Sequence, residues 1–296
     1  MAGALEILAA SGPDAAAITP LLNAYRSNLG NLNPNAAGSF GTGRREINWD
    51  GVPAAFSAPN LLPNNFFNVN SPRGVVFSTP GTGIEVSANA ADGPVRFGNI
   101  EPNYPSLFQA FSQQKLFTPI NSNIVDVSFF IPGSSDSALT RGFGAVFTDV
   151  DLPNTTSLTF FGATNQLLGT FFVPSALGDQ TFSFLGVDFG LPEVSRIRIT
   201  NGNAALAPGQ LDPDVVVVDD FIYGASSRSH PGCRPSRPAL GEWWPSRLVA
   251  TPSADCLSQA RAAGLASEAA LLRHRTGRTG TMHIVGKSNP LTRRRA

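Results

Sequence analysis

Residues 1–224 of this 296-residue chain contain neither cysteine nor histidine. That absence removes disulfide stapling, a Ser-His-Asp triad, a Cys-His pair and any imidazole metal site from three quarters of the sequence. Charge is sparse as well, at 14% of residues. No apolar run reaches membrane-spanning length, so the 42% hydrophobic content predicts a soluble globular protein. Tryptophan and tyrosine number three each beside 21 phenylalanines. Phenylalanine lacks a polar handle and fills cores more readily than it makes sugar-stacking platforms. The "TPGTG" of residues 79–83 lacks the lysine of a phosphate-binding loop and reads as a turn.

Charge is distributed unevenly. Residues 1–224 carry nine Lys/Arg and 18 Asp/Glu, and residues 225–296 carry twelve and three. Every phenylalanine lies in the first part, whereas Cys233, Cys256, His230, His274 and His283 lie in the second. An acidic domain argues against nucleic acid as a partner of residues 1–224. The Arg-, Ala-, Ser- and Pro-rich remainder reads as a basic, poorly ordered tail, or as a shifted-frame translation past the end of the domain. Within it, residues 253–275 have the pattern of an amphipathic helix with Ser253 as N-cap. The first residues, "MAGALEILAASG", lack a basic region and a strong apolar core, and so do not read as a secretory signal.

Residues 1–40 read as a helix and loop. Asp14 is the expected N-cap of a helix over 14–29 and Gly30 its stop, although Pro20 lies inside. From residue 41 to 224 the pattern is of strands between turns: 74–81, 83–89, 95–100, 123–133, 142–151, 156–161, 167–174, 182–189, 194–200 and 214–224. "VSRIRIT" (194–200) alternates strictly, placing Arg196 and Arg198 on a wet face and Ile197 and Ile199 on a buried one. "TSLTFFGATNQLLGTFFVP" reads as a hairpin. The fold class expected is all-β: an antiparallel two-sheet sandwich, jelly-roll-like, with a short N-terminal helix.

The ordered series "GFGAVFTDVD", "SLTFFGATNQLLGTFFVP", "FSFLGVDF", "VSRIRIT" and "VVVVDDFIYG" resembles uncharacterised, exported bacterial jelly-roll proteins akin to carbohydrate-binding modules and galactose-binding-like domains. The resemblance covers about residues 40–224. It implies an extracellular or cell-surface sandwich and a polysaccharide or cell-surface glycan as partner. No Pro-Glu-Pro sorting signal follows Gly224, so it does not extend to anchoring.

With histidine and cysteine gone, carboxylates carry what chemistry remains. "GRREINWDGVP" (43–53) packs Arg44, Arg45, Glu46 and Asp50 around Trp49. Calcium wants six to eight oxygen ligands, and Glu46, Asp50, Asp149, Asp151, Asp219 and Asp220 are the candidates. Asp149 and Asp151 are expected on one face of a strand. Asp219 and Asp220 are expected on opposite faces, one of them near the core and in need of an arginine or an ion. Trp49 and Tyr104 are the candidate ligand contacts, with Trp49 also the apolar anchor of its segment and Tyr104 alternatively packing a turn. A glycan hydrolase or lyase would need two carboxyls across a sugar bond, with Glu46 and Asp50 or Glu85 and Glu101 as the pairs. The reading preferred is a calcium-stabilised, non-catalytic binding or adhesion module; a structural matrix protein is the further alternative.

Overall fold

The computed structural model describes residues 4–210 and 214–228. The strands and helices are, in chain order, β1 (Glu6–Gly12), α1 (Ala15–Leu29), β2 (Arg44–Ile47), α2 (Phe66–Val69), β3 (Val75–Ser78), β4 (Gly83–Val86), α3 (Tyr104–Leu107), β5 (Phe117–Ile120), β6 (Ile124–Phe129), β7 (Ala138–Leu139), β8 (Gly142–Thr148), β9 (Ser157–Gly162), β10 (Leu167–Phe172), β11 (Phe182–Asp188), β12 (Val194–Thr200), β13 (Val217–Gly224) and β14 (Ser227–Arg228). A seven-stranded sheet, here sheet A, runs β1-β11-β8-β13-β5-β4, with β2 also on β13. A five-stranded sheet B runs β10-β9-β12-β6-β3, and β14 with β7 forms a short ribbon. The strand pairings are antiparallel, giving the expected two-sheet sandwich.

The aromatic richness of the chain is spent between the sheets. Trp49, Phe77, Phe117, Phe143, Phe147, Phe160 and Phe221 belong to one buried cluster with the valines and isoleucines of both inner faces. Such interdigitated side chains contribute the bulk of the stabilisation, on the order of 1.5–3 kcal/mol per fully buried large side chain.

Sheet A is also covered on its outer face. Helix α1 begins where the sequence places it: Asp14 accepts a hydrogen bond from the Ala17 N–H, and Gly30 ends the helix at φ 95°. Pro20 is accommodated on the exposed side. The buried face, Ile18, Leu22, Tyr25 and Leu29, packs on Val146, Phe182, Phe184 and Ile222. Glycines in sheet A make room for it, since a Cβ on Gly186 would come within 2.7 Å of the Tyr25 ring and one on Gly144 within 2.9 Å. A second cluster lays Phe97, Tyr104, Phe108 and Leu116 over Val215 and Val217. Strand β13 is therefore buried on both faces throughout its length.

Some expectations are corrected. Residues 95–100 are not a strand: Val95–Phe97 is a 3-10 turn in which Arg96 and Phe97 take φ of 48° and 64°. The apolar-polar rhythm there comes from seating a loop on sheet A. Strand β1, which the small-residue start concealed, pairs with β11 along its whole length. Helix α1 packs beside it and on β11. The ordering of the tail beyond residue 228, including a helix at 253–275, lies outside the described residues.

Candidate functional site

The Arg44–Pro53 segment and the two aspartates of β13 meet in one network. Strand β2 pairs with the last part of β13, Ile47 opposite Phe221 and Arg44 opposite Gly224. Between Val218 and Phe221 the β13 register shifts. Val216, Val218, Phe221 and Tyr223 face the inter-sheet core while Ile222 faces outward, so the irregularity inserts one residue into the alternation. A bulge of this kind puts two consecutive side chains on one side. Asp219 and Asp220 therefore reach the same group, contrary to the opposite-face expectation: the Ser112 Oγ lies 2.9 Å from Asp219 Oδ1 and 2.6 Å from Asp220 Oδ1.

The chemistry of the pair follows from one proton. A serine hydroxyl has a single hydrogen and cannot donate to both carboxyls. Burial, and then the neighbouring Asp220, push Asp219 well above the ordinary carboxylate range. Asp219 is the more strongly raised of the two, and it also accepts from the Phe111 N–H at 2.6 Å. Asp220 is raised by burial but drawn back by Ser112, Asp219 and Arg26. Arg26 of α1 is the cation here, 3.2 Å from Asp220 and 2.9 Å from Glu46.

The two arginines of β2, Arg44 and Arg45, make other contacts. Arg44 pairs with Glu46 at 2.6 Å. Arg45 is 1% exposed and donates to the carbonyls of Pro34, Ala36, Gly38 and Pro72. It thus fastens a loop. Glu46 is met by two guanidinium groups in place of an ion. Asp50 accepts from the N–H groups of Gln114 and Lys115 through one oxygen, and its other oxygen is buried without a partner. Trp49 is buried, stacked on Phe117 at 4.3 Å, with its indole N–H donated to the Asp219 carbonyl. It is the anchor of the segment and offers no face to a ligand. Tyr104, also fully buried, has its hydroxyl within hydrogen-bond reach of the carbonyls of Ala207 and Gln210, to one of which it donates, and accepts from the Ala207 N–H. It packs a turn.

A second acidic group lies at one end of the sandwich. Strand β8 ends at Thr148, and Asp149 turns into the left-handed region at φ 69°. Burial, then the charges of Asp151, Asp179 and Asp214, push its carboxyl up to about 8. One Asp149 oxygen is buried without a partner, and so are both side-chain atoms of Asn201. Asp214, which the sequence reading did not single out, accepts from the Asp151 N–H at 2.9 Å. Asp214 also accepts from the Thr155 hydroxyl. The donors present are all oxygens or amides, the chemistry of a hard cation. Among the described residues, however, no three acidic, cysteine or histidine side chains are set to hold a metal ion.

The remaining carboxylates, Glu85 and Glu101, are each held by local hydrogen bonds. Glu85 accepts from Asn99 Nδ2, and Glu101 accepts from Asn103 and the Gly209 N–H. Both side chains are buried.

The open outer face of sheet B is the part that sequence reasoning did not assemble. Strand register lines up Thr170, Thr159, Arg198, Asp126 and Ser78 across all five strands. The next row holds Phe161, Arg196, Ser128 and Val76, and on the other side stand Phe172, Ser157, Thr200 and Ile124. Asp126 takes both arginines: Arg198 as a bidentate fork at 2.9 Å on each oxygen, Arg196 at 3.0 Å. The Arg196 guanidinium lies 3.8 Å from the Phe161 ring centroid and donates to Asn165 Oδ1 at 2.6 Å. Beside this row opens a cleft of about 310 Å³, lined by Ser128, Phe130, Ser137, Asn165, Ser195 and Arg196 among others. That is the low end of small-ligand pockets, roughly 300–1,000 Å³. The signal in sequence was the alternation of "VSRIRIT" together with Asp126 in "NIVDVSFF"; what joins them is register.

No family model and no curated protein matches the chain. Among solved structures it is similar to CsCBM6-3 from Clostridium stercorarium in complex with cellobiose, at 14% identity over 50% of this chain and 85% of that one, TM-score 0.25. A family 6 carbohydrate-binding module follows at 16% identity, 55% and 92% coverage and TM-score 0.26. An arabinoxylan arabinofuranohydrolase from Bacillus subtilis matches at 16% identity over 52% of this chain and 27% of that one, TM-score 0.27. Scores so far below one half leave these likenesses without weight for function, which has to be read from the chain's own surface.

Proposed function

We propose that this protein is an exported, non-catalytic binding or adhesion module that takes a glycan on the outer face of sheet B. The carrying observation is the contrast between a sheet A overlaid by α1 and the α3 segment and an open sheet B whose face presents Thr170, Thr159, Arg198, Asp126 and Ser78 in register beside a cleft. Sugar hydroxyls both donate and accept, and a carboxylate fixed by two arginines with flanking hydroxyls answers both needs. The cleft lining contains no acid, histidine or cysteine, which supports binding over hydrolysis. Glycan-array binding of the wild-type chain and of Asp126→Ala tests the reading. The variant releases both guanidinium groups and is expected to lose binding by about tenfold or more, the equivalent of 1.4 kcal/mol. Undiminished binding by the variant would move the ligand elsewhere.

Calcium is the proposed stabiliser, at the Asp149 end. The supporting observation is the buried, partnerless Asp149 oxygen beside Asp151 and Asp214. An ion there would draw further ligands from carbonyls and water, because the acidic side chains do not themselves converge. A ligand selective for the folded state raises the melting temperature. Excess chelator should lower it by several degrees in the wild type and leave Asp149→Asn unmoved. An unchanged wild-type melt rejects the ion.

A further inference from the structure

The open face carries a charge opposite to that of its domain. Residues 1–224 have nine Lys/Arg against 18 Asp/Glu, yet the outward positions of sheet B set two arginines against one aspartate. Asp126 engages Arg198 through Nε and Nη2 and Arg196 through Nη1, while Asn165 takes Arg196 Nη2. The Nη1 group of Arg198 and the Nε–H of Arg196 make no hydrogen bond among the described residues. The Arg198 side chain is 42% exposed. Asn165 accepts through its oxygen, so its amide N–H groups also remain to be used at the cleft rim.

Donors therefore outnumber acceptors at this rim: Asp126 is the one carboxylate beside it, and it is already bridged by both guanidinium groups. Arginine forks match planar carboxylates geometrically and electrostatically, more closely than they match neutral hydroxyls. The stack of Arg196 on Phe161 and its bond to Asn165 hold one donor in place before any ligand arrives, which reduces the ordering cost of binding. A purely neutral ligand would leave the unmatched positive charge to solvent.

Resting on the glycan-binding reading above, we propose that this face selects acidic sugars, binding a uronate residue of a polysaccharide through its carboxylate at Arg196 and Arg198. The ring then lies along the Thr159, Thr170 and Ser128 hydroxyls, with Phe172 available at the far side, where its side chain is 51% exposed.

The test is calorimetric titration of the full chain with short oligouronides from polygalacturonate and from alginate. Each is run beside its carboxyl-reduced counterpart, with sulfated dextran oligomers as the control for simple ion exchange. At physiological salt the carboxylated form of at least one is expected to bind about tenfold tighter than its reduced partner. That preference should weaken as salt screens exposed charges. Arg198→Gln should abolish the preference, so that the carboxylated and reduced forms bind the variant equally. Should that variant unfold, Arg196→Lys serves instead: it keeps the charge, loses the fork, and is expected to reduce the preference severalfold. Equal binding of the carboxylated and reduced forms overturns acidic selection and leaves a neutral-glycan module. Tightest binding of sulfated dextran, or a preference that survives both variants, also overturns it. No binding of any oligosaccharide here or on the array removes the glycan reading itself.

Discussion

The outer faces of the two sheets differ more than any other two regions of this molecule. On sheet A, α1 and the segment around α3 bury apolar side chains, and β13 is enclosed on both faces. On sheet B the same positions carry hydroxyls and a three-residue charge network. The outward side chains of sheet A are constrained by packing, and those of sheet B are not covered by a helix. Buried charge follows the same division. Asp219 in sheet A is buried and its carboxyl is raised by that burial, whereas Asp126 on sheet B is partly exposed and hydrogen-bonded to two arginines.

The largest effect that would sharpen the contrast is Trp49→Ala. It removes the ring stacked on Phe117 and orphans the Asp219 carbonyl. Large aromatic truncations in cores cost about 3–5 kcal/mol. Denaturant unfolding should show a loss of that size, and a loss below about 1 kcal/mol would mean that the segment is not the anchor described.

Next comes pH. The Asp219 carboxyl is raised in the folded state, so the fold holds a proton that the unfolded chain releases above its ordinary value of about 4. Its contribution is complete below that value and declines as pH rises toward the folded value. Asp219→Asn imitates the neutral acid. Its stability, measured by urea titration, should therefore fall less than wild type between acid and neutral pH. Parallel curves would show that the proton does not reside there.

The smallest effect belongs to sheet B. Thr170→Ala lies on the exposed edge strand and loses one exposed bond to Thr159, which should alter stability by no more than about 0.5 kcal/mol. A larger loss would break the comparison, because it would make the open face structural.

Much of the fold was legible because period carries it. The capped helix at 14–29, the hairpin of β9 and β10, and the alternation of β12 all follow from local spacing. Strand β1 was not legible, because "EILAASG" owes its structure to pairing with β11. Nor was β5, whose "FTPI" contains a proline. In the segment "GRREINWDGVP" the density of charge was legible, but its pairing as β2 with the last strand was not. The cation that completes the network, Arg26, comes from α1, and nothing in local sequence couples residue 26 to residues 46 and 220.

Sequence alone determined that residues 1–224 have no thiol or imidazole chemistry, that Phe would fill a sandwich core, and that Arg196 and Arg198 face water. Tertiary structure decided the rest. The β13 irregularity turned two aspartates toward one serine, and the pairing of β6 with β12 placed Asp126 between two arginines. Both outcomes depend on register, and register is set by which strands meet, which a single strand's alternation does not encode.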